Sequence, residues 1–77
     1  MQNFKIISEI TDREEIAKGS SVKVRSKLIR QFGRANWRKM KGTAIIEVEG
    51  QIKKAELHWY EAHGKGKKLV KIKMYLR

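Results

Sequence analysis

The chain has no cysteine, no proline, and no apolar run long enough to cross a membrane; acidic residues are missing from two long stretches. Each absence excludes something. Without cysteine there is no disulfide and no zinc–thiolate framework to supplement a small core, and a reducing compartment is permitted. Without proline, repeats or a low-complexity linker, nothing marks an internal boundary, so residues 1–77 read as a single domain. Without a long apolar run there is no membrane helix. The opening MQNFKIISEI lacks the basic-then-apolar order of a secretory signal. A soluble cytoplasmic protein with no membrane partner is therefore the expectation. Apolar residues make up 40% of the 77, enough for one sheet packed on one or two helices.

What is abundant is positive charge: 19 Lys and Arg against 8 Asp and Glu, a formal net charge of +11. It falls in blocks. Residues 18–41 hold nine bases and no acid, and residues 62–77 hold six bases and no acid. The intervening and preceding stretches are near neutral or acidic. Such a field favours a polyanion, nucleic acid ahead of lipid or an acidic protein.

The elements follow from periodicity and punctuation. NFKIISEI alternates well enough for a short strand. TDREEIAKG carries helix-start chemistry, with Thr11 or Asp12 as N-cap, Glu14 and Glu15 in the first turn and Gly19 as the stop, so a two-turn helix is expected. SSVKVRSKLIRQFG reads as the main helix, capped by Ser20 or Ser21 and closed by Gly33. Val24, Leu28 and Phe32 line one face of it, and Lys23, Lys27, Arg30 and Arg34 the other. Arg25 projects into the apolar sector, where its stem can cover apolar surface while its head reaches water or a ligand. RANWRKMKG reads as irregular. TAIIEVEG and QIKKAELHWYEA then read as strands joined at Glu49-Gly50. That turn sets Val48 opposite Gln51 and Ala44 opposite Ala55, gathering Ala44, Ile46 and Val48 on one face with Ala55, Leu57 and Trp59. HGKGKK is the next turn. LVKIKMYL is the last strand, with Val70, Ile72, Met74 and Leu76 inward and Leu69, Lys71, Lys73 and Tyr75 outward. The fold class is α+β: one or two N-terminal helices packed on a three- to four-stranded antiparallel meander, the long helix lying across one sheet face.

Alternation sends Glu56, His58 and Tyr60 away from Leu57 and Trp59, toward Lys71 and Lys73. This face holds the groups that metal-independent RNA cleavage needs: a base for the 2′-hydroxyl proton, an acid for the leaving 5′-oxygen, and positive charge around the phosphorane. An imidazole can serve as either proton carrier. The candidate catalytic residues are therefore His58, Tyr60, Lys71, Lys73 and His63, with Arg25 beside them. In HGKGKK, Gly64 and Gly66 let backbone N–H groups approach a phosphate that Lys65, Lys67 and Lys68 neutralise. The spacing is not that of a nucleotide-binding P-loop. Further nucleic-acid contacts are expected from Lys23, Lys27, Arg30 and Arg34 on the helix and from Arg38, Lys39 and Lys41 after it. Trp37 lies among these bases, but in so small a domain packing is its expected role. His58 and His63, five positions apart among lysines with only Glu56 and Glu61 nearby, do not make a metal site, and no cofactor is expected.

WRKMKGTAIIEVEGQ, then AELHWYEAHGKGKK and a basic last strand resemble the small ribonuclease-toxin domains of the barnase–EndoU–colicin–RelE type. The likeness runs over Trp37–Lys73; the HWYEAHG stretch is also similar to that of uncharacterised small bacterial proteins. The resemblance implies a metal-independent endoribonuclease acting on tRNA or mRNA, with His58 and Lys71 or Lys73 at its centre and an acidic inhibitor or antitoxin as partner. The alternatives are a non-catalytic RNA- or DNA-binding module and a basic protein that binds an acidic partner.

Overall fold

The computed structural model describes residues 3–77. Among the described residues five strands, β1 (Phe4–Ile6), β2 (Thr11–Lys18), β3 (Arg38–Val48), β4 (Gln51–Ala62) and β5 (Gly66–Leu76), form one antiparallel sheet, with a single α-helix, α1 (Arg25–Phe32), between β2 and β3. The order is β1-β3-β4-β5, and β2 also pairs with β3. β1 and β2 thus lie end to end along one edge of β3. At the break between them the Ser8 hydroxyl accepts from Ile45 N–H at 2.8 Å, replacing a missing ladder bond.

The β3–β4 hairpin forms in the expected register, with Val48 opposite Gln51 and Ala44 opposite Ala55. Glu49 and Gly50 both have positive φ, 51° and 76°, the geometry a two-residue hairpin loop demands. Ala44, Ile46, Val48, Ala55, Leu57 and Trp59 are buried on one face as expected, and Met40 joins them because β3 begins at Arg38 rather than at Thr43. Gly42 lets this layer close: a Cβ there would meet Ile10 Cγ2 at 2.5 Å.

The first expected helix is absent. TDREEIAK is strand β2, paired to β3 from Thr11↔Thr43 to Lys18↔Arg38. Its only apolar residues, Ile16 and Ala17, are adjacent, so a helix would have no apolar stripe to bury. As a strand the segment satisfies its backbone on β3 and places Glu14 on Lys41 at 3.2 Å and Glu15 on Arg38 at 3.7 Å. The main helix is also shorter than its pattern, and neither Ser20 nor Ser21 caps it. Gly19–Ser21 is a 3₁₀ turn, and Val24 is the N-cap with no side-chain bond. Val22, 3% exposed, is drawn into the core in extended conformation, which delays the helix to Arg25. Gly33 ends it as expected, with φ 99° and its N–H on Ile29 O at 2.9 Å.

There are two apolar clusters, and they occupy opposite faces of β4. The Leu57–Trp59 face is covered by the curl of the sheet itself, through Phe4, Ile6, Ile10, Val70 and Ile72. The helix covers the other face at one end: Leu28, Val22 and Trp37 pack with Ala62, and Tyr60 is half-buried against them. Trp37 is fully buried and donates Nε1–H to Gly33 O at 3.0 Å, so its role is packing.

The last strand departs from simple alternation. Ile72 pairs with Leu57, but Met74 pairs with Glu56 and Tyr75 with Ala55, so one residue, Lys73, is extra. A second irregularity lies between Lys71 and Lys68, at Leu69, whose φ is 54°. Val70 and Ile72 therefore face the core as expected, whereas Met74 is 51% exposed and Tyr75 leaves the His58 face. These bulges suit an edge strand, where they and the lysines disrupt pairing with another chain.

Candidate nucleic-acid interface

Lys71 and Lys41 stand opposite His58 on the two neighbouring strands, as alternation requires. His58 is nonetheless only 8% exposed, and its Nε2 lies 2.7 Å from Glu56 Oε2. The hydrogen bond to His58 is the chief cause holding the Glu56 carboxyl below its ordinary value; the charges of Lys41, His58 and Lys73 act the same way, and desolvation opposes them. A carboxylate only accepts, so His58 donates through Nε2–H. Its Nδ1 is buried without a hydrogen-bond partner. One ring nitrogen is thus engaged by Glu56 and the other is shut off from solvent. Tyr60 lies under the helix layer, with Lys39 Nζ 5.9 Å from its ring centre. Lys73, exposed at the bulge, reaches this group only through the field it exerts on Glu56.

A second polar group closes the Leu57–Trp59 core at its end. Trp59 Nε1–H donates to Glu61 Oε1 at 2.6 Å, and Arg38 Nη2 donates to Glu61 Oε2 at 3.0 Å. These two bonds, with the charges of Arg38 and Arg13, hold the Glu61 carboxyl below its ordinary value against the opposing effect of burial. The Arg13 guanidinium sits 5.8 Å from the Trp59 ring centre. Arg38 is thus engaged within the protein, as is Lys41 by Glu14, while Lys68 Nζ lies 5.1 Å from the Phe32 ring centre.

The cations on α1 and beside its two ends differ. Lys23, Lys27, Arg30 and Arg34 are exposed, and among the described residues none of them has a carboxylate within 4.0 Å. Lys67, at the start of β5, is likewise exposed without such a carboxylate. Lys65, in the β4–β5 turn, also lacks one but is half-buried, its N–H bonding Ala62 O at 3.0 Å between Gly64 and Gly66, both of positive φ. A Cβ at Gly33 would lie 3.0 Å from Lys65 Nζ, which sets that ammonium at the carboxyl end of α1, the favourable end for a cation.

Between this turn, the end of β2 and the start of α1 opens a cleft of about 760 Å³, bordered by Lys18, Ser20, Arg25, Asn36 and His63, with Glu15 and Arg38 at one side. His63 is exposed here and Arg25 is the first helical residue. His58, Tyr60, Lys71 and Lys73 do not border it. The residues expected to form one catalytic group are therefore divided: His58 and Lys71 on the sheet, Tyr60 under the helix, His63 in the cleft. Glu15, Lys18, Ser20 and Asn36 were not read as site residues, because two expected helices claimed the first three and an irregular segment the last. Among the described residues no three His, Cys, Asp or Glu side chains converge to hold a metal, and no helix is long and apolar enough to cross a membrane.

No family model, curated protein or solved structure matches the chain, so nothing there identifies a ribonuclease-toxin domain.

Proposed function

We propose that the protein binds RNA through its helix end, where α1, the β4–β5 turn and the cleft adjoin. The observation that carries this reading is how charge is spent. Glu14, Glu15, Glu56 and Glu61 are each tied to a basic partner inside the fold, while Arg25, Lys27 and Arg30 of α1 and Lys67 beside the turn are exposed and, among the described residues, unpaired. That surplus is what a phosphate backbone neutralises. The test is fluorescence anisotropy with a labelled single-stranded RNA over a salt series. Affinity is expected to fall by about 0.7 log units per log salt for each phosphate contacted. No binding, or binding indifferent to salt, overturns the proposal.

Endonucleolytic cleavage is a second reading, favoured by one observation: Glu15 and His63 border the same cleft as Arg25 and Lys18. In that reading a carboxylate takes the 2′-hydroxyl proton, the 2′-oxygen attacks phosphorus, and the imidazolium protonates the departing 5′-oxygen. The products are a 2′,3′-cyclic phosphate and a 5′-hydroxyl, with charge held by the two cations. Incubating total RNA with the protein in EDTA, beside His63→Ala and His58→Ala, tests it. Loss of cutting in His63→Ala alone supports the cleft; loss in His58→Ala alone returns the chemistry to the sheet face. Intact RNA with the wild type removes the cleavage reading and leaves binding standing.

A further inference from the structure

Beside the cleft lies a second hollow of about 340 Å³, bordered by Arg25, Ile29, Arg34, Ala35 and Asn36. Arg25, Ala35 and Asn36 border both hollows, so the two are neighbours with Arg25 and Asn36 on the wall between them. We propose that the two hollows seat two successive nucleotides of a single strand, with the Arg25 guanidinium on the phosphate that links them. This rests on the RNA-binding reading and says which part of the basic surface recognises more than charge.

Four features point this way. Arg25 is exposed and, among the described residues, has no carboxylate within 4.0 Å, so its planar fork is available for two phosphate oxygens. On the smaller side, the half-buried Ile29 offers an apolar surface and Arg34 a planar cation, the two kinds of surface on which a base face lies. On the larger side, Lys18 and His63 add donors for the next phosphate. Asn36, exposed on the shared wall, carries both a donor and an acceptor for a base edge. Both volumes fall in the roughly 300–1,000 Å³ range of small-molecule sites. A paired base must be unstacked and unpaired before it can enter a hollow, a cost that an unpaired strand does not carry, so the favoured occupant is a single strand. Lys27 and Arg30 border neither hollow, so they contribute field without a seat.

That contrast supplies the experiment. Anisotropy is measured with a short labelled RNA strand and with the blunt duplex of the same sequence, for wild type, Arg25→Ala, Arg25→Lys and Arg30→Ala. Arg30→Ala is expected to weaken both by about threefold, as the loss of one diffuse charge does. Arg25→Ala is expected to weaken single-strand binding about tenfold and duplex binding no more than Arg30→Ala does. Arg25→Lys keeps the charge without the fork and is expected to exceed the Arg30→Ala loss on the single strand; it also carries the comparison should Arg25→Ala fold poorly. Equal losses for the Arg25 and Arg30 variants on the single strand overturn the two-nucleotide seat while leaving RNA binding intact. A wild type that binds neither RNA takes down the RNA-binding reading itself.

Discussion

His58 and His63 stand five positions apart, one on β4 and one in the turn that follows it, and the fold treats them in opposite ways. His58 is walled in, its Nε2–H on Glu56 and its Nδ1 buried without a partner. His63 is exposed on the rim of a basic cleft. The difference teaches that a histidine's residue type does not assign its work; what surrounds each nitrogen does. On the sheet the imidazole satisfies a carboxylate and fixes a strand face. At the turn it is available to something outside the protein.

The comparison breaks most severely if the helix layer is removed. Leu28, fully buried, holds α1 against Trp37 and Ala62. Leu28→Ala is expected to cost about 2–5 kcal/mol in chemical denaturation, since a buried leucine is replaced by a cavity. RNA affinity should fall with it, because Arg25 and the cleft wall ride on that helix. The opposite face gives a smaller effect of another kind. Gly42→Ala pushes a methyl into Ile10 and Trp59 and is expected to cost about 1–3 kcal/mol by overpacking, with RNA affinity of the folded protein unchanged.

The histidines sharpen the contrast directly. His58→Ala is expected to lower the melting temperature by about 4–8 °C while leaving RNA affinity near wild type. His63→Ala is expected to do the reverse: unchanged melting within about 0.5 kcal/mol, and weaker RNA binding. Acid titration adds the gentlest probe. Glu56 and Glu61 are both held below their ordinary value of 4.5 in the folded chain. Because the folded state binds their protons less readily than the unfolded state, their stabilisation is complete above that pH and is lost as pH falls through their folded values. Stability followed by circular dichroism should therefore decline on acidification below about pH 4.5, and Glu61→Gln should make that decline shallower.

Much of the sheet was legible in the residues. Glu49-Gly50 and the alternation on either side of it specify the hairpin register, because a two-residue slip-free turn and a one-sided apolar face agree. β2 was not legible: Asp12, Glu14, Glu15 and Gly19 imitate helix punctuation, and only the partner edge of β3 makes the segment a strand. The bulges at Leu69 and Lys73 leave no mark in an alternating edge strand, so Met74 and Tyr75 were placed on the wrong sides. The cleft was the least legible feature. Its walls come from Glu15–Arg25, Ala35–Arg38 and His63, segments that no local pattern links. What the charge blocks did announce was the basic helix end, since charge survives any error in placing the elements.

RNA is expected to meet the helix end of the molecule and not the His58 sheet face. Amide and side-chain NMR shifts recorded while a single-stranded RNA is titrated into labelled protein answer this most directly. Shifts are predicted at Lys18–Arg25, Arg34–Arg38 and His63–Lys67, with His58, Lys71 and Lys73 little moved. Shifts concentrated on His58, Lys71 and Lys73, with the cleft silent, would contradict it.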